Sequence, residues 1–576
     1  MTKILLLFVF ILSFIGGYGQ ATKETENKLI GIWGVYKLNS SDVKGELIID
    51  LRNNNGEARI SGFTVPLYIK GTGLSFNLPD ERGLFRGYFE KSSNKITGHW
   101  IQDGMLASPV ELALIEKNVY RGIVNPLEGR TIFYLSIQRI NDSLKAFFRN
   151  PTWNFLRLRT FDVKLTKDSV ILFDKRDQIH CFFDSNSGAL YIPIQDDYSP
   201  EKFTRKNDST AIGFYASVPF LKSKYKYKKP VPDNDGWQTG TLSEVGLDEK
   251  QIAEFINQIR SQTPSIKNPL NIHSLLIVRH GKLVLEEYFY GNTREQTHNL
   301  RSASKTYAPF MLGVAQYQGY KFNIDSPVHS LFPEYKPFAN PDERKYKITL
   351  RNLMTMTSGL DSRGKYSEDE MYDQKEQPDW YKFTWDMPMK TEPGGDSSYY
   401  SSADINLVAG ALTKITGEWI PDFFYKNFAR PLQVKSYYMN LMPTGEGFMG
   451  GGLEIRSRDL IKLGQVYLSG GKWNGKQIIS KKWVDESTAV STHFRPMFDK
   501  DTGHDYGFGW HVKDRLVNGK TYRIYMMGGN GGQMTIVIPA LDMVIGFTGG
   551  DYGETKKFFL WEIDYVPKYL IPAAVK

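Results

Sequence analysis

Leu300-Arg301-Ser302-Ala303-Ser304-Lys305 sets a serine and a lysine three positions apart. On a helix that spacing puts both side chains on one face, a turn apart. A serine hydroxyl is a poor nucleophile until a base removes its proton, and a lysine in a dry pocket can take part in that transfer. We therefore read Ser302 as a nucleophile and Lys305 as part of its activating machinery. The pattern alone decides nothing, because Ser-x-x-Lys also occurs at Ser41, Ser92, Ser199, Ser223, Ser362 and Ser469. The surroundings of Ser302 have to single it out.

Working outward, Ser302 stands at the mouth of a helical stretch carrying Phe310, Leu312, Val314 and Ala315. A nucleophile at that end has unpaired backbone N–H groups nearby and the favourable end of the helix dipole. Pro309 conflicts with a continuous helix, since an interior proline removes a hydrogen bond and clashes one turn back, near Lys305. A bend, or a helix that starts late, is expected there. Upstream, Ser243 to Asp248 leads into a helical pattern through Ile259. Ser274 to Arg279, a His280-Gly281 turn and Lys282 to Glu286 then form a hairpin signal.

The chain's 576 residues exceed what one core holds, so two or more domains are expected. Hydrophobic residues make up 41% and charged residues 23%, which excludes wholesale disorder. A net charge of +9 is small for this length, and the one basic cluster, Lys222 to Lys229, reads as a solvated linker. Nucleic-acid binding has no support beyond it. Residues 1–19, with Lys3, the apolar run Ile4 to Ile15 and small residues at Gly17 and Gly19, read as a signal peptide. No integral membrane segment is expected after its cleavage, because no later apolar run is long enough. The expected location is periplasmic or extracellular. Cys181 is the only cysteine, which rules out an intrachain disulfide.

Between about Leu29 and Lys222 the pattern is short alternating runs broken by turn residues. Gly45 to Leu51 ends in Asn53-Asn54-Asn55-Gly56, and Arg130 to Ile137 leads to Asn141-Asp142-Ser143. That spacing reads as an all-β sandwich or barrel, an accessory domain over 25–222. Its aromatics (Trp33, Trp100, Phe147, Phe148, Trp153) are read as core packing rather than a ligand platform. Residues 223–237, rich in lysine, proline and aspartate, read as a linker.

Past Ser302 an ordered series follows. It comprises Asp325-Ser326-Pro327-Val328, Ile348 to Leu360, Glu392-Pro393-Gly394, Tyr400-Ser401-Ser402-Ala403-Asp404 and Leu412 to Gly417. It continues with Gly450-Gly451-Gly452-Leu453, Ser457-Arg458-Asp459-Leu460, Tyr506 to Trp510 and Gly529 to Gln533. In this order the series resembles the β-lactamase-related serine hydrolases, which include class C β-lactamases, D-alanyl-D-alanine carboxypeptidases, certain esterases and aminohexanoate-dimer hydrolases. The resemblance covers about Trp237 to the C-terminus and implies a domain over 238–576. The implied fold class is α+β: an antiparallel sheet flanked by helices plus a helical lobe, preceded by the all-β domain. The hairpin and the late runs Thr535 to Ile538 and Met543 to Phe547 would share one sheet.

Carried over residue by residue, the resemblance makes Ser302 the acylated nucleophile and Lys305 its partner. The Tyr-x-Asn element falls on Tyr400-Ser401-Ser402, with Tyr400 as general base or proton shuttle, since a neighbouring ammonium favours a phenolate. Tyr425-Lys426-Asn427 and Tyr438-Met439-Asn440 match the pattern more literally, but the run from Pro393-Gly394 to Gly410 favours Tyr400. Ser402 in place of asparagine alters the contacts expected with a substrate amide. The Lys-Thr-Gly or His-x-Gly element falls on Met527-Gly528-Gly529, where methionine supplies no charge for a penicillin-type carboxylate. The oxyanion hole falls on the backbone N–H groups of Ser302 and Asn530, with Gly529 allowing close approach.

There is no His-Glu-x-x-His, no Gly-x-Ser-x-Gly elbow and no Gly-x-x-x-x-Gly-Lys-Ser/Thr, and no metal or cofactor is implied. His504, beside Asp505, reads as part of a solvated loop, with a place lining the cleft as the alternative. The expected reaction is hydrolysis of a small ester, amide or peptide through a Ser302 acyl-enzyme. Two alternatives stand beside it: a cell-wall D-peptidase or carboxypeptidase, and a non-catalytic binder of cell-wall fragments on the same scaffold.

Overall fold

A computed structural model describes residues 23–575 except 54, 153–158, 167–168, 194–198, 218–223, 263–269, 363–373, 375, 396–398 and 495–502. The leader read at 1–19, Trp153, and part of the loop from Asp361 to Lys390 lie outside the described residues. The chain forms two compact units: one from the described parts of Met1–Lys37 and Arg130–Phe220, the other from Leu38–Gly129, Leu221–Gln262 and Leu270–Lys576. The β region read as one domain over 25–222 is therefore divided between them.

The first unit is built on a closed barrel whose strands run in sequence order from Gly31–Asn39 and Gly129–Ile140 to Glu201–Lys206, the last pairing back on the first. Alternation sets its inner face: Val170 and Leu172 of Ser169–Phe173 point inward with Trp33, Leu135, Phe148, Phe161 and Phe203. Cys181 is buried among them, and burial pushes its thiol up to about 12, which leaves it chemically inert.

The second unit carries a nine-stranded sheet. Its order is Gln238–Thr239, Lys282–Tyr288, Ile272–Arg279, Met543–Gly549, Gln533–Ile538, Lys520–Gly529, His511–Val517, His504–Tyr506 and Thr492–Phe494. All neighbours are antiparallel except the first pair. The hairpin near residue 280 and the two late strands share this sheet. Every residue of Gln533–Ile538 and Met543–Gly549 is buried, which is why these stretches read as continuous apolar runs rather than alternating ones. The helix Ser457–Leu468 covers one face, with Ile461 against Gly546 and Gly464 against Thr535 and Val544. A helical lobe, including Tyr307–Tyr317, Leu350–Met354, Trp380–Asp386 and Ser402–Thr416, shares one core with this helix.

Strands between Gly45 and Val124 belong to the same unit as this catalytic-type fold. Leu106–Glu116 pairs with Tyr437–Asn440, through Met439 opposite Ala107. Tyr437–Asn440 pairs with Leu453–Arg456, which pairs with Thr297–Asn299 immediately before Ser302. Fully buried His99 adds a second tie, with Asp422 Oδ1 at 3.1 Å and the Tyr437 hydroxyl at 2.9 Å. The stretch 223–237, read as a linker, is anchored at its end. Asp235 is buried against Arg458, with Arg458 Nε to Asp235 Oδ2 at 2.6 Å, and the Trp237 indole donates to the Arg458 carbonyl.

Candidate active site

Ser302 and Lys305 lie in a 3₁₀ turn, Arg301–Thr306, ahead of the α-helix Tyr307–Tyr317. Residues three apart eclipse one another in such a turn, so the two side chains still meet. Pro309 is the third residue of the α-helix, where its missing N–H would have had no intrahelical acceptor. The late helix start removes the conflict. Arg301, one residue before Ser302, has a left-handed backbone with φ 50, a conformation that costs a non-glycine residue about 1 kcal/mol. Surrounding bonds hold it. Asn299 Oδ1 accepts from the Arg301 N–H at 3.0 Å, the Leu300 N–H donates to the Leu453 carbonyl at 2.9 Å, and the Leu453 N–H donates to Ser304 Oγ at 3.1 Å.

Lys305 is 1% exposed. Its Nζ donates to Ser302 Oγ at 2.9 Å and to the Gly450 carbonyl at 2.8 Å, and it stands 4.7 Å from the centre of the Tyr400 ring. The Gly450 peptide is itself fixed: its N–H donates to Oδ1 of fully buried Asn406 at 2.9 Å. Ser402 Oγ donates to the same Gly450 carbonyl at 3.3 Å, so its hydroxyl is engaged with the site's backbone. A Cβ at Gly450 would sit 2.8 Å from Ser402, so only glycine permits this approach. Tyr400 is delivered by the start of the helix Ser402–Thr416, which Ser401 caps through its Oγ and the Asp404 N–H.

On the other side, the strand Lys520–Gly529 brings Gly528, Gly529 and Asn530 against the turn that carries Ser302. A Cβ at Gly529 would lie 2.0 Å from the Leu300 carbonyl oxygen. Asn530 Oδ1 accepts from the Gly553 N–H at 2.8 Å, tying this turn to the loop before the helix Thr555–Leu560. Ser302, Tyr400, Ser402, Gly529 and Asn530 all line one cavity of about 390 Å³, with Lys305 directly behind Ser302. Met527 is fully buried and does not line it, so that position presents an apolar side chain to the core.

The wall also includes Arg301, Gly450, Gly451, Gly528 and His504, and sequence reasoning missed Phe448, Phe494, His511, Met526, Met534, Thr555, Phe558 and Phe559. His504, read as a loop residue in solvent, faces the cavity with its ring 4.5 Å from that of His511. His511 lies near-parallel to the Tyr400 ring, 6.4 Å away. Burial, then His504, Lys513 and Lys305, hold its imidazole well below the usual range and therefore neutral. The only signal for it was its place directly after Tyr506 to Trp510. Neither Tyr425 nor Tyr438 lines the cavity; the Tyr425 hydroxyl donates to Glu111. Among the described residues no group of three or more His, Cys, Asp or Glu side chains could hold a metal ion.

Residues 273–553 match the Beta-lactamase family model, which supports a place for this part of the chain among the β-lactamase-related serine hydrolases. A 6-aminohexanoate-dimer hydrolase from Paenarthrobacter ureafaciens is 22% identical over 232 residues, which is 38% of this chain and 57% of that protein. The chain thus spans little more than half the length of that curated relative. Among solved structures, a putative 6-aminohexanoate-dimer hydrolase from Bacillus anthracis aligns with TM-score 0.43 and 18% identity, covering 52% of this chain and 80% of that one. A penicillin-binding protein homologue from Caulobacter crescentus aligns with TM-score 0.44 and 14% identity, covering 57% and 99%.

Proposed function

We propose that the protein hydrolyses an ester or amide through an acyl-enzyme on Ser302. The observation that carries this reading is the buried Lys305 ammonium, shared between Ser302 Oγ at 2.9 Å and the Gly450 carbonyl at 2.8 Å. Held this way, the lysine cannot swing from the hydroxyl it serves. Ser302 Oγ attacks the substrate carbonyl carbon while its proton passes to the phenolate oxygen of Tyr400, whose negative charge the adjacent Lys305 ammonium offsets. The tetrahedral oxyanion faces the backbone N–H groups of Ser302 and Asn530, each such donor being worth about 3 kcal/mol in systems of this kind. Collapse breaks the bond to the leaving alkoxide or amine, which takes its proton back through Tyr400. Water, deprotonated by the same pair, cleaves the Ser302 ester and releases the acid.

Ser302→Ala is expected to abolish turnover of p-nitrophenyl acetate, and persistence of wild-type turnover in that variant sinks the assignment. Tyr400→Phe is expected to slow turnover by at least a hundredfold while Tyr425→Phe stays within about threefold of wild type. The reverse ranking would transfer the base role to Tyr425. The N-terminal pattern at Lys3, Ile4 to Ile15 and Gly16 to Gly19 supports export of this activity, which cell fractionation tests.

A further inference from the structure

The cavity beside Ser302 has a chemical character that the catalytic groups do not require. Beyond them its wall includes Phe448, Phe494, Met526, Met534, Phe558 and Phe559, and among the described residues no carboxylate or lysine side chain lines it. Phe558 and Phe559 come from the helix Thr555–Leu560, and each is less than a tenth exposed. The helix carrying Phe558 and Phe559 runs into a segment tied to the sheet by ion pairs. Glu562, in the helical segment that follows, is fully buried, with Lys513 Nζ at 2.8 Å and Arg515 Nε at 2.6 Å. Both partners project from the strand His511–Val517. Phe559 also lies under Lys513 Nζ, 5.1 Å from its ring centre. At the other end, the Asn530–Gly553 bond joins the helix's approach to the proposed oxyanion turn.

Charge at the site is occupied elsewhere. Arg301 lines the cavity, but its guanidinium lies over the Tyr552 ring at 5.3 Å and acts on half-buried Glu454. His511 is held neutral by its burial and its neighbours. Met527 faces the core rather than the cavity.

We propose that the substrate carries an uncharged, apolar group next to the scissile carbonyl, seated on Phe558, Phe559, Met526 and Met534, and that the helix Thr555–Leu560 is the element that sets this specificity. The proposal rests on the acyl-enzyme reading above. Each methylene buried there raises kcat/KM about fourfold until the cavity is filled. A carboxylate at the same place loses its hydration without gaining a partner.

Two pairs of esters test this on either side of the scissile bond: p-nitrophenyl butyrate against p-nitrophenyl hydrogen succinate, and phenyl acetate against 4-carboxyphenyl acetate. The neutral member is expected to have at least tenfold higher kcat/KM in both pairs. Phe558→Ala/Phe559→Ala is expected to lower kcat/KM for the butyrate at least tenfold, while Ser302 is still labelled by a methyl fluorophosphonate within about twofold of the wild-type rate. Equal or faster turnover of the anionic member in either pair overturns the proposal and points to Arg301 as a carboxylate reader. So does an unchanged butyrate rate in the double variant; if that variant fails to fold, the wild-type pairs decide alone. Absence of both turnover and labelling in the wild type overturns the nucleophile reading instead, and this proposal with it.

Discussion

At the residue scale, the site depends on how Lys305 is held, and Asn406 is the group that holds it at one remove. Its side-chain oxygen orients the Gly450 peptide, whose carbonyl then fixes the ammonium. Asn406→Ala should lower kcat for any ester substrate about tenfold or more with little change in KM, because the loss falls on positioning rather than binding. A rise in KM at constant kcat would show instead that Asn406 shapes the cavity. His511 gives a pH signature with a definite sign. In the unfolded chain an imidazole takes up a proton as the pH falls through about 6.5. The folded His511 stays neutral there, so the unfolded state binds more protons and stability falls with falling pH. His298, buried and lowered to about 4, adds to the same trend. The urea midpoint should therefore drop between pH 7.5 and 5.5, and drop less in His511→Phe; equal drops in both proteins would contradict this account. Ser302, Lys305 and Tyr400 were legible because their spacing and order carry chemistry. His511, Asn406 and the two phenylalanines were not, since nothing in a linear run distinguishes a residue facing a cavity from one facing a core.

At the scale of elements, the sheet was the most readable part. Strands buried on both faces leave continuous apolar runs, and the hairpin at 280 announces its turn with His280-Gly281, both at positive φ. The nucleophile's element was less readable. An i, i+3 pair fits a 3₁₀ turn and an α-helix equally, and only Pro309 hinted that the helix begins later, at Tyr307. The C-terminal helical segment was unreadable as part of the site, because its tie to the sheet is a buried ion triad between residues 47 and 49 positions apart. Burial raises the Glu562 carboxyl, but the charges and hydrogen bonds of Lys513 and Arg515 outweigh it and hold the group below its usual range. Its stabilisation is therefore present above the ordinary glutamate value and lost as the pH falls below about 4. Glu562→Gln leaves buried Lys513 and half-buried Arg515 short of a counter-charge and should destabilise the fold by about 3–5 kcal/mol at neutral pH. A melting temperature within a degree or two of wild type would show that the triad is not what fastens the wall.

At the scale of the whole molecule, strand alternation gives the face each side chain occupies but not the sheet a strand joins. That is why the region from 25 to 222 reads as one β domain, while the strands between Gly45 and Val124 share a unit with the turn that carries Ser302. The decisive contacts are remote: His99 and Asp422 are 323 positions apart. His99→Ala would leave Asp422 and the Tyr437 hydroxyl without a partner in a buried place, at a cost of about 2–4 kcal/mol. Because the path from Leu106–Glu116 through Tyr437–Asn440 and Leu453–Arg456 ends beside Ser302, the same variant should also slow acylation. Stability lost with an unchanged acylation rate would confine that sheet to a scaffolding role.

The central claim is that Ser302 is the residue acylated and that Lys305 activates it. Mass spectrometry of the protein after brief exposure to a fluorophosphonate tests it most directly. The account predicts one adduct per chain, on the peptide containing Ser302, formed at least a hundredfold more slowly in Lys305→Ala and absent in Ser302→Ala. An adduct on another residue, or labelling of Lys305→Ala at the wild-type rate, would contradict it.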